Sequence, residues 1–272
     1  MLKTDIDAGL RLCRASHWNQ VEDDWKCFLD SRDGGGWVAE KDGAVVGTVA
    51  FLRYGSSFAW LSMMLVDSRE RAAGIGSRLL ETALDALSGD CVRLDATPAG
   101  EPLYRRFGFV PEYELARTVG PAHSLPGSGG TATRLEDADL AEVFALDRSV
   151  FGADRRGLLT SLYERTPELA WAARCDGELL GYCFGRPGHL YNQVGPIVTK
   201  SADVSEELLA RCLAAKAGQP MAVDVPMAPA SVESLERIGF QIERRFVRMR
   251  RGAAVQAAQA SWQFAITGPE FG

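Results

Sequence analysis

The feature that most constrains the fold is an internal repeat at a spacing of about 130 residues. The segment VAEKDGAVVGTVAF, which begins at Val38, resembles AARCDGELLGYCFG, which begins at Ala172. Each joins two strand-like runs through an Asp-Gly pair, a strong short-range signal for a β-hairpin. Later, a strand that ends in aspartate precedes a short helix and a Gly-Phe pair, once up to Phe109 and once up to Phe240. Several landmarks in the same order favour a duplicated domain over two unrelated domains with similar short strings.

Within each copy, strands and helices alternate after an initial antiparallel hairpin. In the first copy we expect a hairpin over 36–53, a buried strand over 59–66, a helix over 76–87 and a short helix over 101–106, before a closing strand from Phe109. This order predicts an α/β fold of the mixed α+β kind. The chain should form two tandem domains, each with a mixed, partly antiparallel sheet flanked by helices.

The join between the copies is the segment GPAHSLPGSGGTAT, which is rich in Gly, Pro and Ser and has no apolar periodicity. Such a segment cannot bury enough apolar surface to order itself, so it is typical of a linker. We therefore predict a first domain over residues 1–119, a linker over 120–130 and a second domain over 131–272.

The net charge and the spacing of the cysteines limit the classes of partner that we expect for this chain. A net charge of −6 and a pI near 5.3 argue against a nucleic-acid binder, which usually carries a basic face. The six cysteines and three histidines show no spacing typical of metal ligands, so we expect no metal and a reducing, cytoplasmic compartment. The charged beginning of the chain lacks the apolar run of a signal peptide, and no stretch approaches the ~18 apolar residues that span a bilayer. We expect no membrane partner.

The sharpest local signal is the string MMLVDSRERAAGIGSRLLETAL, in which a buried strand ends at Val66 and an amphipathic helix begins near Gly76. The first amides of a helix lack intrahelical partners and lie at the positive end of the helix dipole, so they can hold a pyrophosphate. Arg71 could add a charge-assisted contact. On spacing alone, a tight turn with Arg71 in solvent explains the same glycines. The dinucleotide fingerprint fails because Leu79 replaces its third glycine, and the ending of a Walker loop is missing.

The string Arg71-x-x-Gly74-x-Gly76, together with LYRRFGF at 103–109, resembles two successive motifs of the GNAT (GCN5-related) N-acetyltransferase superfamily. Through the repeat, the chain is similar to tandem GNAT proteins with a divergent second copy. The resemblance implies a transferase, an N-acyltransferase with acetyl-CoA as co-substrate. The acetyl-CoA site that it implies consists of Met64, Leu65, Val66, Arg71, Ala72, Ala73, Gly74, Ile75, Gly76 and Ser77. Ala72 and Ala73 stand where the family often has a glycine and a basic residue, which we expect to weaken phosphate binding.

The same resemblance implies two groups of catalytic and acceptor residues. Tyr104 matches a tyrosine that protonates the departing CoA thiolate, and a phenol is protonated at neutral pH; packing beside Phe109 is the alternative. Acyl transfer also needs a neutral amine, so a base or a water chain should face the thioester. We predict Tyr104 and Asp95 as catalytic residues, with Trp18 and Asn19 in the acceptor wall. The other candidates for the base are Asp23, Asp24 and His17.

The second copy lacks the glycine loop. After Thr199 the chain continues Lys-Ser-Ala-Asp-Val-Ser-Glu, and carboxylates at a helix start repel a pyrophosphate. We therefore predict that this copy does not bind CoA in the usual mode. It either shapes the acceptor pocket or serves as a scaffold, and the cleft between the copies is the expected site.

Three functional hypotheses follow. The first is an N-acetyltransferase that acts on a small-molecule or protein amine. The second is a non-catalytic acyl-CoA-binding or sensing module, in which Tyr104 would be dispensable. The third is a structural protein without CoA binding, which the intact loop from Arg71 to Gly76 disfavours. The acceptor, and whether the chain forms a homodimer, are left open.

Overall fold

A computed structural model of the chain describes residues 1–123, 130–254 and 259–272. The two predicted hairpins are confirmed. In both, the turn is an Asp-Gly pair in the left-handed region: φ is 51° at Asp42 and 76° at Gly43, and 50° at Asp176 and 83° at Gly177. Two successive positive φ values give the turn whose twist matches that of paired strands, which is why the Asp-Gly signal works.

The helices and strands follow the predicted order. The first copy contains α1 (Ile6–Ala15), α2 (Glu22–Leu29), β1 (Gly34–Lys41), β2 (Ala44–Tyr54), β3 (Phe58–Val66), α3 (Ile75–Ala86), β4 (Val92–Ala96), α4 (Glu101–Arg106) and β5 (Val110–Pro121). The second contains β6 (Ala132–Arg134), α5 (Leu140–Phe151), α6 (Arg156–Arg165), β7 (Trp171–Cys175), β8 (Glu178–Arg186), β9 (Asn192–Thr199), α7 (Ala202–Ala215), β10 (Pro220–Pro226), α8 (Pro229–Arg237), β11 (Gln241–Arg251) and β12 (Gln263–Ala265). The mixed α/β class is confirmed.

The two copies share one sheet because they exchange their closing strands. The order across the sheet is β1-β2-β3-β4-β11-β5-β10-β9-β8-β7-β6, with β12 beside β9. Strand β11 of the second copy therefore lies between β4 and β5, and β5 of the first copy pairs with β10. The register places Val247 opposite Ala96 and Arg117 opposite Asp224. Each copy thus completes the sheet of the other.

This exchange bears on the predicted linker. Gly120 and Pro121 were assigned to the linker but end β5, where they pair with Met221 and Pro220. Proline and glycine favour turns, which is why the sequence predicts a linker at these two residues, whereas at the end of a strand their weak pairing is tolerated. Residues 124–129 of the linker lie outside the described residues. The domain ranges 1–119, 120–130 and 131–272 stay a prediction.

A shared core joins the copies. Trp25, Phe28 and Trp60 of the first copy belong to the same buried cluster as Phe184 and Phe271 of the second, and the rings of Phe28 and Phe271 stack with centroids 5.2 Å apart. Buried aromatic side chains dominate the packing energy of such a cluster. The relative position of the two copies is thus fixed by apolar burial as well as by the strands. In the described part of the chain, no helix combines the length and apolar character needed to cross a membrane.

Candidate active site

A cleft opens where the parallel strands β3 and β4 part. Their last paired residues are Trp60 and Arg93, although β3 continues to Val66. Beyond Trp60, the edge of β3 that faces β4 is free of ladder pairing, so its backbone groups are available to an extended ligand. Backbone groups that lose a strand partner need another hydrogen-bonding partner, and a strand-like ligand can supply it.

A bulge in β3 lies at the same place. Between its pairs with β2, β3 carries one residue more than its neighbour, and Met63 adopts φ 51°. The hydroxyl of Thr48 donates to the carbonyl oxygen of Met63 at 2.7 Å, which holds the bulge in place. A bulge bends its strand, so this contact also fixes the direction in which β3 leaves β4.

The start of α3 faces the cleft with free amides. Gly74 is the N-cap in the left-handed conformation, with φ 82° and ψ −2°, and open space surrounds the position of a Cβ there. The first intrahelical bond runs from the amide of Arg78 to the carbonyl of Gly74 at 3.1 Å, so the amides of Ile75, Gly76 and Ser77 precede it. The first turn of α3 contains no acidic residue. This geometry can hold an anion such as a pyrophosphate.

The cleft continues into a cavity of about 960 Å³ that reaches the second copy. Nine of the ten residues predicted to bind acetyl-CoA line it; the exception is Ala73. The structure brings together Met64, Leu65, Val66, Arg71, Ala72, Gly74, Ile75, Gly76 and Ser77. The guanidinium of Arg71 is exposed, with its Nε 3.4 Å from the carbonyl of Val66, so its charge remains available to a phosphate.

Tyr104 lies in the same cavity, on α4. Its ring is buried and packs edge-on against Phe109, with centroids 5.8 Å apart, so the predicted aromatic packing is real. Nothing in residues 1–123, 130–254 or 259–272 hydrogen-bonds to its hydroxyl. Burial raises the pKa of this phenol, which keeps it protonated. The side chain therefore combines a packed ring with a hydroxyl that can donate to a ligand.

Asp95, which the sequence predicts as a catalytic residue, forms a buried ion pair with Arg248. The guanidinium of Arg248 donates to both of its carboxylate oxygens at 2.8 Å, and both side chains of this ion pair are buried. Burial raises the pKa of the Asp95 carboxyl, and Arg248 opposes that shift. A carboxylate with both oxygens engaged in a buried ion pair is a poor general base. The structure therefore places Asp95 as the partner of Arg248, on the exchanged strand β11.

The remaining candidates for the base lie off the cavity. His17 is exposed. Asp23 pairs with Lys26 at 3.3 Å, and Asp24 pairs with Arg186 at 3.0 Å. These two aspartates and one histidine do not line the cavity.

The two residues predicted to contact the acceptor substrate lie in different surroundings. Trp18 lines the cavity, whereas Asn19 does not. The Asn19 amide donates to the carbonyl of Tyr191 at 3.0 Å, and its oxygen accepts from the amides of Leu190 and Tyr191 at 2.8 and 3.0 Å. The structure therefore places Asn19 away from the cavity lining, with its polar groups holding the loop over 188–191. That role also explains why a polar residue is buried there.

Sequence reasoning missed a segment of the second copy. After β12, residues 266–272 cross to the first copy, where Pro269 and Glu270 line the cavity, as Gln20 of the first copy also does. Arg117 and Phe246, on the central strands β5 and β11, complete this end. No motif marks these positions, because their place depends on the strand exchange.

The same segment fills the corresponding gap of the second copy. Strands β9 and β10 also pair in parallel and then part, after Val194 and Val223. Here β12 pairs with β9, and the amide of Ile266 donates to the carbonyl of Asp224 at 2.9 Å. The space that is open in the first copy is thus occupied by the chain itself. This gives a physical reason for the prediction that the second copy does not bind CoA in the usual mode.

Across the described ranges, no three or more His, Cys, Asp or Glu side chains are grouped in a way that could hold a metal ion.

Comparisons with known proteins agree with the duplicated arrangement. Two family models, each described as an acetyltransferase (GNAT) domain, match residues 32–111 and 143–265. The chain is 27% identical over 243 residues to the uncharacterized N-acetyltransferase YitH of Bacillus subtilis, covering 86% of this chain and 84% of that protein. It is 24% identical over 260 residues to a holothin acyltransferase of a Pseudoalteromonas species, covering 95% and 88%.

A solved structure shows the same fold. The crystal structure of a proposed acetyltransferase from Pyrococcus horikoshii superimposes with a TM-score of 0.82 at 20% identity, covering 100% of this chain and 94% of that one. At this identity the likeness concerns the fold, and it extends over both copies.

Proposed function

The chain belongs to the GNAT acetyltransferase family, with two such domains in tandem, and we propose that it transfers an acetyl group from acetyl-CoA to an amine. The first copy carries the reaction, and the acceptor is a small-molecule or protein amine. In this proposal Tyr104 protonates the leaving CoA thiolate. The cytoplasmic location and the open question of a homodimer stay predictions from the sequence.

The observation that carries the proposal is the coincidence of two features at one cleft. Strands β3 and β4 part after Trp60, and the free amides of Ile75, Gly76 and Ser77 face the same opening. A thioester of CoA has an amide-containing arm that can pair with a strand edge and a pyrophosphate that suits a helix start. Both halves of such a ligand find matching groups here.

The position of Tyr104 supports catalysis over simple binding. Its hydroxyl is a neutral donor at the cavity that holds these two features. A general acid near a leaving thiolate lowers the barrier by supplying a proton as the C–S bond breaks. A module that only senses acyl-CoA has no use for such a donor.

Calorimetric titration with acetyl-CoA tests the site. We expect one site per chain in the wild type and a loss of affinity of at least tenfold in Gly76→Asp. A Cβ at Gly76 would lie 3.6 Å from Leu103 and 3.7 Å from Val66, in ordinary contact, and an acidic residue in the first helical turn favours the helix. The variant should therefore fold and place a negative charge where the pyrophosphate is expected.

The matched control is Ala202→Asp, which adds the same charge to the start of α7 in the second copy. It should leave the affinity unchanged. A wild type that does not bind acetyl-CoA would refute the proposal, and two sites per chain would refute the assignment to the first copy alone. Thiol release in the presence of a panel of primary amines separates the enzyme from a binding module.

A further inference from the structure

We propose that Glu270, which the second copy carries, binds the ammonium of the acceptor in the cleft of the first copy and takes its proton. This inference rests on the proposed function, because it names a residue of that same site. It gives the second copy a part in catalysis, and it names the base that the sequence left open.

Several anchors hold Glu270 at the cavity. The indole of Trp60 donates to the carbonyl of Pro269 at 3.0 Å, and the hydroxyl of Tyr54 donates to the carbonyl of Phe271 at 2.8 Å. The ring of Phe271 stacks on Phe28. The residues on both sides of Glu270 are therefore tied to β2, β3 and α2 of the first copy. A side chain fixed in this way is preorganised for a ligand.

Three acidic residues line the cavity, and Glu270 alone has an oxygen to spare. Both carboxylate oxygens of Glu70 accept from Lys41, at 3.0 and 2.9 Å. Both oxygens of Asp95 accept from Arg248. In Glu270, Oε1 accepts from Arg186, whereas Oε2 is buried and has no hydrogen-bond partner within the described ranges.

Gln20 adds a second buried acceptor among the residues that line the same cavity. It lines the cavity, is 5% exposed, and its Oε1 also has no partner among the described residues. Leaving a buried acceptor unpaired costs about 1–3 kcal/mol, so two of them at one cavity require an explanation. A ligand with two or three N–H donors on one atom would satisfy both, and an alkylammonium is such a ligand.

The charges around Glu270 leave its free oxygen to the ligand. Arg186 is shared, because its other terminal nitrogen donates to Asp24 at 3.0 Å. Arg117 is occupied by Asp224, to which it donates at 2.9 and 2.8 Å. No further cation within the described residues pairs with Glu270. Oε1 of Glu270 is thus engaged by one guanidinium, whereas the buried Oε2 has no partner among the described residues.

An amine with pKa near 10 arrives as an ammonium, which loses one proton to Glu270. The neutral nitrogen attacks the thioester carbonyl carbon, so the N–C bond forms and the C–S bond breaks. Tyr104 gives its proton to the leaving sulfur, and the second proton lost by the nitrogen restores Tyr104 through water. Glu270 then releases its proton to solvent, so one ammonium and one thioester give one amide, one thiol and one proton.

A matched pair of CoA thioethers tests this without a known acceptor. S-(2-aminoethyl)-CoA carries an ammonium close to where the attacking nitrogen would lie, and S-propyl-CoA has a methyl group in its place. In calorimetry we expect the wild type to bind the aminoethyl compound about tenfold more tightly, as a charge-assisted hydrogen bond allows. In Glu270→Gln the ratio should fall to about one, with the affinity for S-propyl-CoA unchanged.

Two controls keep the outcome decisive. Asp24→Asn removes the other carboxylate of Arg186 without touching the cavity, and it should keep the preference. Gln20→Met, of similar volume, should reduce the preference and guards against a Glu270→Gln protein that does not fold. A wild type without the preference, or Glu270→Gln and Asp24→Asn proteins that change it equally, would overturn this inference while leaving the CoA site intact. Failure of the wild type to bind S-propyl-CoA would instead overturn the proposed function and, with it, this inference.

Discussion

Replacing Asp95 by asparagine should destabilise the protein and leave the chemistry nearly unchanged. Asp95 lies on β4 of the first copy and Arg248 on β11 of the second, and both side chains are buried. The guanidinium of Arg248 also lies over the ring of Trp60, 4.7 Å from its centroid, and donates to the hydroxyl of Tyr113 at 2.7 Å. The pair therefore holds the exchanged strand against the first copy.

The size of the effect follows from burial. Removing one partner of a buried ion pair leaves the other charge uncompensated and typically costs about 3–5 kcal/mol. Asparagine keeps the shape and one acceptor for Arg248, so we expect about 3 kcal/mol, near the lower end. Replacing Arg248 by methionine in the Asp95→Asn protein should recover part of the lost stability, because it removes the unpaired cation. A double-mutant cycle should show a coupling above about 1 kcal/mol.

Urea unfolding followed by tryptophan fluorescence measures the stability. Thiol release from acetyl-CoA, at a temperature where both proteins are folded, measures the chemistry. Both oxygens of Asp95 are engaged, so kcat should change by less than about threefold, well short of what a catalytic base contributes. A loss of kcat of about a hundredfold with an unchanged unfolding midpoint would refute this reasoning and restore Asp95 as a base.

Three further predictions concern other parts of the site. Tyr104→Phe should lower kcat about a hundredfold, as loss of a general acid does, without changing the calorimetric affinity for acetyl-CoA; an unchanged kcat would contradict the acid role. Asn19→Ala should lower the free energy of unfolding by about 1–3 kcal/mol and speed the hydrogen exchange of the backbone amides over 188–191. An unchanged exchange rate there would contradict the role of Asn19 in holding this loop. Burial raises the pKa of Asp24 from 3.8 to about 6, so the folded state binds more protons than the unfolded state between these values and loses stability as pH rises through them. Asp24→Asn should therefore lower the free energy of unfolding more at pH 4 than at pH 7, and equal losses would speak against the shift.

Features set by neighbouring residues could be predicted from the sequence. The Asp-Gly turns at 42–43 and 176–177 follow from two positive φ values that these residues tolerate. The short helix over 101–106 was placed correctly. The geometry at the start of α3 follows from Gly74 as its N-cap and from the first turn, which contains no acidic residue. Each of these depends on contacts within a few residues along the chain.

Features set by distant pairing could not be predicted. The closing strand from Phe109 was expected to complete the first sheet, but β11 takes the place beside β4. Both β5 and β11 have an edge that could pair with β4. Which of them does so is decided by packing across the whole molecule. The surroundings of Asn19 and Glu270 could not be predicted for the same reason, since their partners lie in the other copy.

The two copies differ most at the one feature that duplication gave them in common, a gap between parallel strands. In the second copy β12 and Ile266 fill that gap and satisfy its backbone groups, so a strand-like ligand has no free edge to bind. The same segment, continuing by four residues from Ile266, brings Glu270 to the open gap of the first copy. A single run of chain therefore closes one site and completes the other. The second copy, which lacks the glycine loop, thereby supplies part of the wall of the cleft in the first copy.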